Sequence, residues 1–157
     1  MGILRGTWGI PVTVVAVSPD VSQFATTAGF LTAELRLWDM AGGQPKWAKP
    51  IAAMAGSIAF SPDGRRLAVA CSELPGTPTD LVIFDALSGQ ELVHLPSRAR
   101  ISSLAFSPDG ARLWGVTVKN VLVFWEASPW PGPVTVPPVA LRPTVVNNPE
   151  LARPAGP

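Results

Sequence analysis

The chain has 157 residues, of which 12 are basic, 11 are acidic and 47% are hydrophobic, for a formal net charge of +1. That length suits one domain burying about 70% of its unfolded surface, and the composition excludes a disordered polyelectrolyte. Charges so balanced and so scattered give no reason to expect nucleic acid or an acidic membrane as a partner.

One cysteine, Cys71, rules out an intrachain disulfide. Set inside an apolar run, it reads as a small core residue rather than a reactive thiol, which would need neighbours that lower its pKa. Nothing demands an oxidising compartment, so a cytoplasmic chain is the expectation. Secretion stays open as the alternative, because residues 1–20, MGILRGTWGIPVTVVAVSPD, faintly suggest a signal segment. Thr7, Gly9, Pro11 and Thr13 interrupt that apolar run, and Val12 to Val17 fits a strand better. No apolar run reaches the ~18 residues of a membrane span, and Gly6 stands where a myristoylation motif needs Ser or Thr.

In chain order, the first strand leads into VAVSPDVSQFATT, residues 15–27. The same pattern returns as AFSPDGRRLAVA at 59–70 and as AFSPDGARLWGV at 105–116. The Asp-to-Asp steps, from Asp20 to Asp63 to Asp109, are 43 and 46 residues. Ala16, Ala59 and Ala105 align, then Val17, Phe60 and Phe106, then Ser18, Ser61 and Ser107. Pro presets φ at a first central turn position and Asp can hydrogen-bond its local backbone. Gly64 and Gly110 supply the positive φ that closes the hairpin. Downstream of each turn lies an alternating strand ending in an aromatic–acid pair: Trp38-Asp39, Phe84-Asp85 and Trp125-Glu126. In the second copy a Ser-Gly turn and a fourth strand, Glu91 to Leu95, follow. No helical period is sustained over ten residues, so the fold class is all-β.

A period in the forties, four strands per unit, Ser-Pro-Asp-Gly after the first strand and Trp-Asp closing the third resemble the WD-repeat β-propeller family. The resemblance runs over 12–127, about three-quarters of the chain. It implies a partial propeller of about three four-stranded antiparallel blades, followed by a Pro-rich tail. Residues 1–11 are then an outer strand of a preceding or closing blade. Residues 128–157 form a Pro-rich linker or disordered tail, since nine of the 18 prolines lie from Ala127 onward. Within it, Val134 to Val136 could add an edge strand.

The departures from the family pattern are specific. No Gly-His precedes any first strand, and the single histidine, His94, falls in an outer strand. Val21 stands where the other copies have glycine, and a β-branched residue resists positive φ. The third copy closes in Trp-Glu. The family's His–Asp network is therefore not carried over. Propellers close with four to eight blades, which leaves three explanations for three copies. The chain is the C-terminal piece of a longer propeller, or a half-ring that pairs with itself or another chain. Alternatively residues 2–8 supply the third blade's outer strand and seal a small array.

No catalytic constellation stands out. Six of the eleven carboxylates are absorbed by the repeat, and the other five form no spaced pair. One histidine and one cysteine cannot build a zinc site of the usual kind. No nucleophile elbow, phosphate loop or dinucleotide fingerprint occurs. The expectation is no enzyme, no metal and no cofactor, and instead a protein-binding scaffold completed by self-association or further blades. In propellers of the resembling family, partners often dock on the loops between second and third strands and between blades. There Phe30, Arg98 and Arg100 are the candidate anchors, arginine and aromatic residues being favoured at interfaces. Trp38 and Trp125, on alternating strands, are expected to pack between blades. The alternative reading is an accessory propeller segment of a multidomain enzyme or signalling protein whose catalytic domain lies outside this chain. A third is a fragment that never folds stably.

Overall fold

In the computed structural model, residues 12–29, 33–41, 44–51, 54–72, 78–97, 99–126 and 143–145 are described. They form twelve strands in three antiparallel four-stranded sheets and no helix. The first sheet is β1 (Val12–Val17), β2 (Gln23–Ala28), β3 (Ala33–Asp39) and β4 (Pro45–Ile51). The second is β5 (Met54–Phe60), β6 (Arg66–Ser72), β7 (Asp80–Asp85) and β8 (Glu91–Pro96). The third is β9 (Ile101–Phe106), β10 (Arg112–Thr117), β11 (Leu122–Glu126) and β12 (Pro143–Val145). Each sheet pairs its strands in sequence order, as meandering blades do. The inner strand β5 packs against both β1 and β9, so the blades form an arc about the line of their first strands.

The repeat seen in the letters is a repeat in register. Ala16 faces Ala25, Ala59 faces Ala68, and Ala105 faces Trp114 across the three first hairpins. A bulge recurs at one repeat position, at Thr13, Gly56 and Ser102, where the pairing skips a residue. Bulges turn a strand and raise its local twist, which suits strands that must splay around a common centre.

The outer strand of the third blade comes from an unexpected place. The sequence offered residues 2–8 or Val134–Val136 for it. Instead Pro143–Val145 takes the position, with Val123 opposite Val145 and Phe124 opposite Thr144. This strand lies inside the segment read as a Pro-rich tail. A proline can enter here because an edge strand leaves one row of backbone groups unpaired. Residues 1–11 and the rest of 128–157 lie outside the described residues.

Two apolar layers hold the arc together, each sandwiched between neighbouring blades. The first joins Ala25, Leu35 and Leu37 of blade one to Ile58, Leu67, Val69, Val82 and Phe84 of blade two. The second joins Ala68, Ala70, Leu81 and Ile83 of blade two to Ile101, Leu104, Leu113, Val123 and Trp125 of blade three. Alternation along β7 therefore serves both sides: Leu81 and Ile83 face one neighbour, Val82 and Phe84 the other. All seven residues of β6 are buried, the signature of a strand covered on both faces. Cys71 is buried in the first layer, as its apolar setting suggests.

Candidate functional site

The Ser-Pro-Asp turns come first, because they fix the ends of the inner strands. In each copy the serine hydroxyl donates to its aspartate, at 2.6 Å for Ser18 to Asp20 and 2.5 Å for Ser61 to Asp63 and Ser107 to Asp109. The same hydroxyl oxygen accepts the N–H five residues on, from Gln23, Arg66 and Arg112. The aspartate also accepts an N–H from Ser22, Arg65 or Ala111. The Ser18 and Ser22 hydroxyls together lower the Asp20 carboxyl to a pKa of about 2. Burial pushes Asp63 upward, but the Ser61 hydroxyl, the Arg65 N–H and the charges of Arg66 and Arg65 outweigh it and leave it lowered. The Ser107 hydroxyl and the Ala111 N–H lower Asp109.

Gly64 and Gly110 occupy the left-handed region, at φ 70° and 69°. Val21 sits there too, at φ 58°. The hydrogen bonds around Asp20 therefore hold a β-branched residue in a conformation it disfavours.

The third-strand closers divide by environment. Trp38 and Trp125 are buried, at 6% and 3% exposure, and Phe84 at 5%. Trp38 stacks on Phe24 and donates its indole N–H to Thr26 Oγ1 at 2.9 Å. Asp39 accepts the Ala41 N–H and lies 3.6 Å from Lys46 Nζ. Asp85 accepts both the N–H and the hydroxyl of Ser88. Glu126 lies 3.7 Å from Arg112. His94 is hydrogen-bonded to Asp80 at 3.0 Å and lies 3.6 Å from Glu91, out on β7 and β8. Its partners are thus the first residues of β7 and β8, not the strand-closing acids.

Beside blade three, residues 78–79 ahead of β7, 99–100 ahead of β9 and 118–121 between β10 and β11 come together. Thr79, ahead of β7, donates N–H and hydroxyl to the Ala99 carbonyl, and its hydroxyl accepts the Ile101 N–H. Arg100 in turn accepts the Val118 N–H on its carbonyl at 2.9 Å. The tight turn between β10 and β11 is closed by Asn120 at φ 59°, donating its N–H to the Thr117 carbonyl. Three segments are thus stitched by backbone bonds, and they present Arg100, Val118 (51% exposed) and Lys119 outward. Of the three candidate anchors, Arg100 is exposed on this platform; Phe30 and Arg98 lie outside the described residues. Val118 went unremarked in the sequence, where it reads as one more strand residue.

A second concavity, of about 670 Å³, runs between β4 of blade one and β7 and β8 of blade two. Ile51, Val82 and Phe84 line it together with Lys49, Asp80 and His94. A half-exposed histidine between two exposed carboxylates is hydrated, and nothing here assembles a nucleophile or an oxyanion site. Among the described residues no group of three His, Cys, Asp or Glu could hold a metal ion.

Sequence reasoning missed Arg66, which closes the junction between blades two and three. It is 7% exposed, donates from Nη2 to the Gly110 carbonyl at 3.2 Å, and lies over the Phe106 ring at 5.4 Å. Burial lowers its pKa, opposed by the charge of Asp63. The visible signal was an arginine three residues after the turn aspartate in two of three copies.

No protein-family model matches this sequence, and no curated protein matches it. Solved structures do. The chain is similar to the β-propeller domain of Cps50 (Swd1) from Myceliophteria thermophila, with a TM-score of 0.68 at 14% identity. That match covers 87% of this chain and 37% of the other. A chain of a mitotic checkpoint complex matches at TM-score 0.63 and 20% identity, over 74% of this chain and 37% of that one. The WD40 repeats of RRP9 match at 0.65 and 24%, over 80% and 38%. The chain thus spans under two-fifths of the length of each of these three structures. What it shares with all three is the WD40-type β-propeller fold, of which it carries three consecutive blades.

Proposed function

We propose that this chain is a non-catalytic protein-interaction scaffold, and that a partner docks on the platform formed by Arg100, Val118 and Lys119. The observation that carries this reading is the joining of three segments by the N–H groups of Thr79 and Val118 on backbone carbonyls and of Ile101 on the Thr79 hydroxyl. Segments already held by such bonds lose little entropy on binding. The platform brings together an exposed apolar residue and two exposed cationic ones. That chemistry fits an acidic protein segment with an apolar anchor, and arginine is a favoured interface residue. Membership of one similar chain in a mitotic checkpoint complex is consistent with a role inside an assembly.

A photo-crosslinking residue placed at Lys119 would identify what docks there. Affinity for that protein, once purified, is then measured for the native chain, for Arg100→Glu and for Arg65→Glu on an exposed turn elsewhere. Arg100→Glu should weaken binding by about tenfold or more, while Arg65→Glu leaves it unchanged. Equal affinities for all three would overturn the platform.

The accessory reading, a propeller segment serving a larger protein, is favoured by one fact: the arc is about two-fifths of the structures it resembles. Both readings leave the faces at the two ends of the arc to be covered.

A further inference from the structure

The two ends of the arc carry faces whose counterparts inside the chain are buried. On blade one, Val12, Val15 and Val17 of β1 are 46%, 56% and 49% exposed. Their repeat equivalents at the first two positions are Ala55 and Ile58, then Ile101 and Leu104, all at 7% or less. On blade three, Val116 and Leu122 are each 39% exposed, whereas their equivalents Thr27 and Ala70, and Leu35 and Leu81, are at 0%. Aliphatic residues hold these positions in each copy, Thr27 excepted, while their cover differs.

The junction already closed between blades two and three shows what such a face binds. Ser57 Oγ accepts the Leu104 N–H at 2.9 Å between inner strands, and Arg66 donates to the Gly110 carbonyl. Both groups that blade two supplies to this template, a serine acceptor and an arginine donor, recur at the open face of blade three. Ser103, the equivalent of Ser57, is exposed. Arg112, the equivalent of Arg66, is exposed and lies over its own blade's Phe124 ring at 5.8 Å. The groups they would meet exist at the other end of the same chain. The equivalent of Leu104 is Val15, and the equivalent of Gly110 is Val21, whose φ of 58° lies with the glycine's 69° in the left-handed region.

The side-chain sizes also complement each other. At the closed junctions a small residue on one blade, Ala25 or Ala68, shares an apolar layer with a large one on the next, Phe60 or Phe106. At the open ends the sizes are exchanged: Trp114 replaces the alanine and Val17 replaces the phenylalanine. Large against small is kept, but only if the open face of blade three meets the open face of blade one.

We propose that two copies of this chain close a six-bladed ring head to tail, the β1 face of each seating on the outer face of blade three of the other. A twofold axis through the ring centre then relates two identical junctions, so the association closes rather than growing into a filament. Six blades fall within the four to eight in which propellers close. In each junction Ser103 Oγ accepts the Val15 N–H and Arg112 donates to the Val21 carbonyl of the other copy. This rests on blade packing alone and is independent of what docks on the Arg100 platform.

Light scattering over a concentration series tests it. The native chain should run at twice its 16.5 kDa mass. Val15→Glu and Leu122→Lys each bury an unpaired charge in the junction and should weaken self-association by more than about a hundredfold. Mixed in equal amounts, these two variants keep one intact junction and set Glu against Lys at the other. The mixture should therefore regain the paired mass that neither variant shows alone. Arg112→Ala and Ser103→Ala alter side chains exposed in the single chain; each should weaken pairing by about tenfold with an unchanged single-chain melt, so a misfolded charge variant does not leave the matter open. A folded native chain at 16.5 kDa at every concentration would overturn the proposal. So would a pair indifferent to all four substitutions, a polydisperse aggregate, or a mixture that stays at the single-chain mass.

Discussion

Arg66 and Arg112 hold one repeat position in neighbouring blades and live in different worlds. Arg66 is buried beneath the turn of blade three, with its guanidinium on the Gly110 carbonyl. Arg112 is exposed, over Phe124 and 3.7 Å from Glu126. Leu81 and Leu122 differ in the same way, at 0% and 39% exposure. At these two positions blades two and three carry the same residue, covered in one and uncovered in the other. Cover is a property of the array, as expected where stability is a sum of units and their interfaces.

The contrast can be broken most sharply at the leucines. Leu81→Ala should destabilise the chain by about 2–5 kcal/mol through lost burial and the cavity left behind. Leu122→Ala should cost under about 1 kcal/mol at dilutions where single chains prevail. Urea unfolding of both variants checks this, and equal losses would show that the end face is covered after all.

The arginines come next. Arg66→Ala removes a charged hydrogen bond and leaves the Gly110 carbonyl without that donor, for an expected loss of about 1.5–3 kcal/mol. Arg112→Ala should stay within about 0.5 kcal/mol in the single chain, as exposed substitutions do. The same denaturation series measures both.

The turns sharpen the comparison between blades one and two. Gly64→Val puts a β-branched residue at φ 70° and should cost about 1 kcal/mol or more. The reverse change, Val21→Gly, should gain up to about 1 kcal/mol, since relief of strain exceeds the added unfolded-state entropy. Thermal melts that shift in opposite directions would bear this out; two downward shifts would mean that Val21 is not strained.

The smallest effect is acid sensitivity. Asp20 is lowered from 3.8 to about 2 on folding, so its ionised form contributes stability that is fully present above pH 3.8. That contribution fades as pH falls through about 2. Asp63 and Asp109 are lowered too and act with the same sign. Asp20→Asn should therefore flatten the decline in the urea midpoint between pH 4 and pH 2. An unchanged slope would remove Asp20 from the account.

Much of the fold was legible because turn chemistry is local. Ser18, Ser61 and Ser107 announce their hairpins whatever surrounds them, and the aromatic–acid pairs mark the third strands. The outer strand Pro143–Val145 was not legible, because three residues amid prolines carry no period and gain their place only by pairing with β11. The loop platform was half legible. Arg100 was visible as an exposed-type residue in a linker, but its backbone bond to Val118 joins segments 18 residues apart. Arg66 was hidden by its charge, since an arginine in a strand usually marks a solvated face and here covers the next blade's turn.

The sequence alone determined the hairpins, the all-β class and the count of repeats, since each rests on bonds made within a few residues. The tertiary structure alone decided which apolar faces are covered, which arginine is buried and which strand completes blade three. Those depend on the neighbour that packs against a blade, and an arginine at 66 or 112, or a leucine at 81 or 122, reads alike whether or not that neighbour is there.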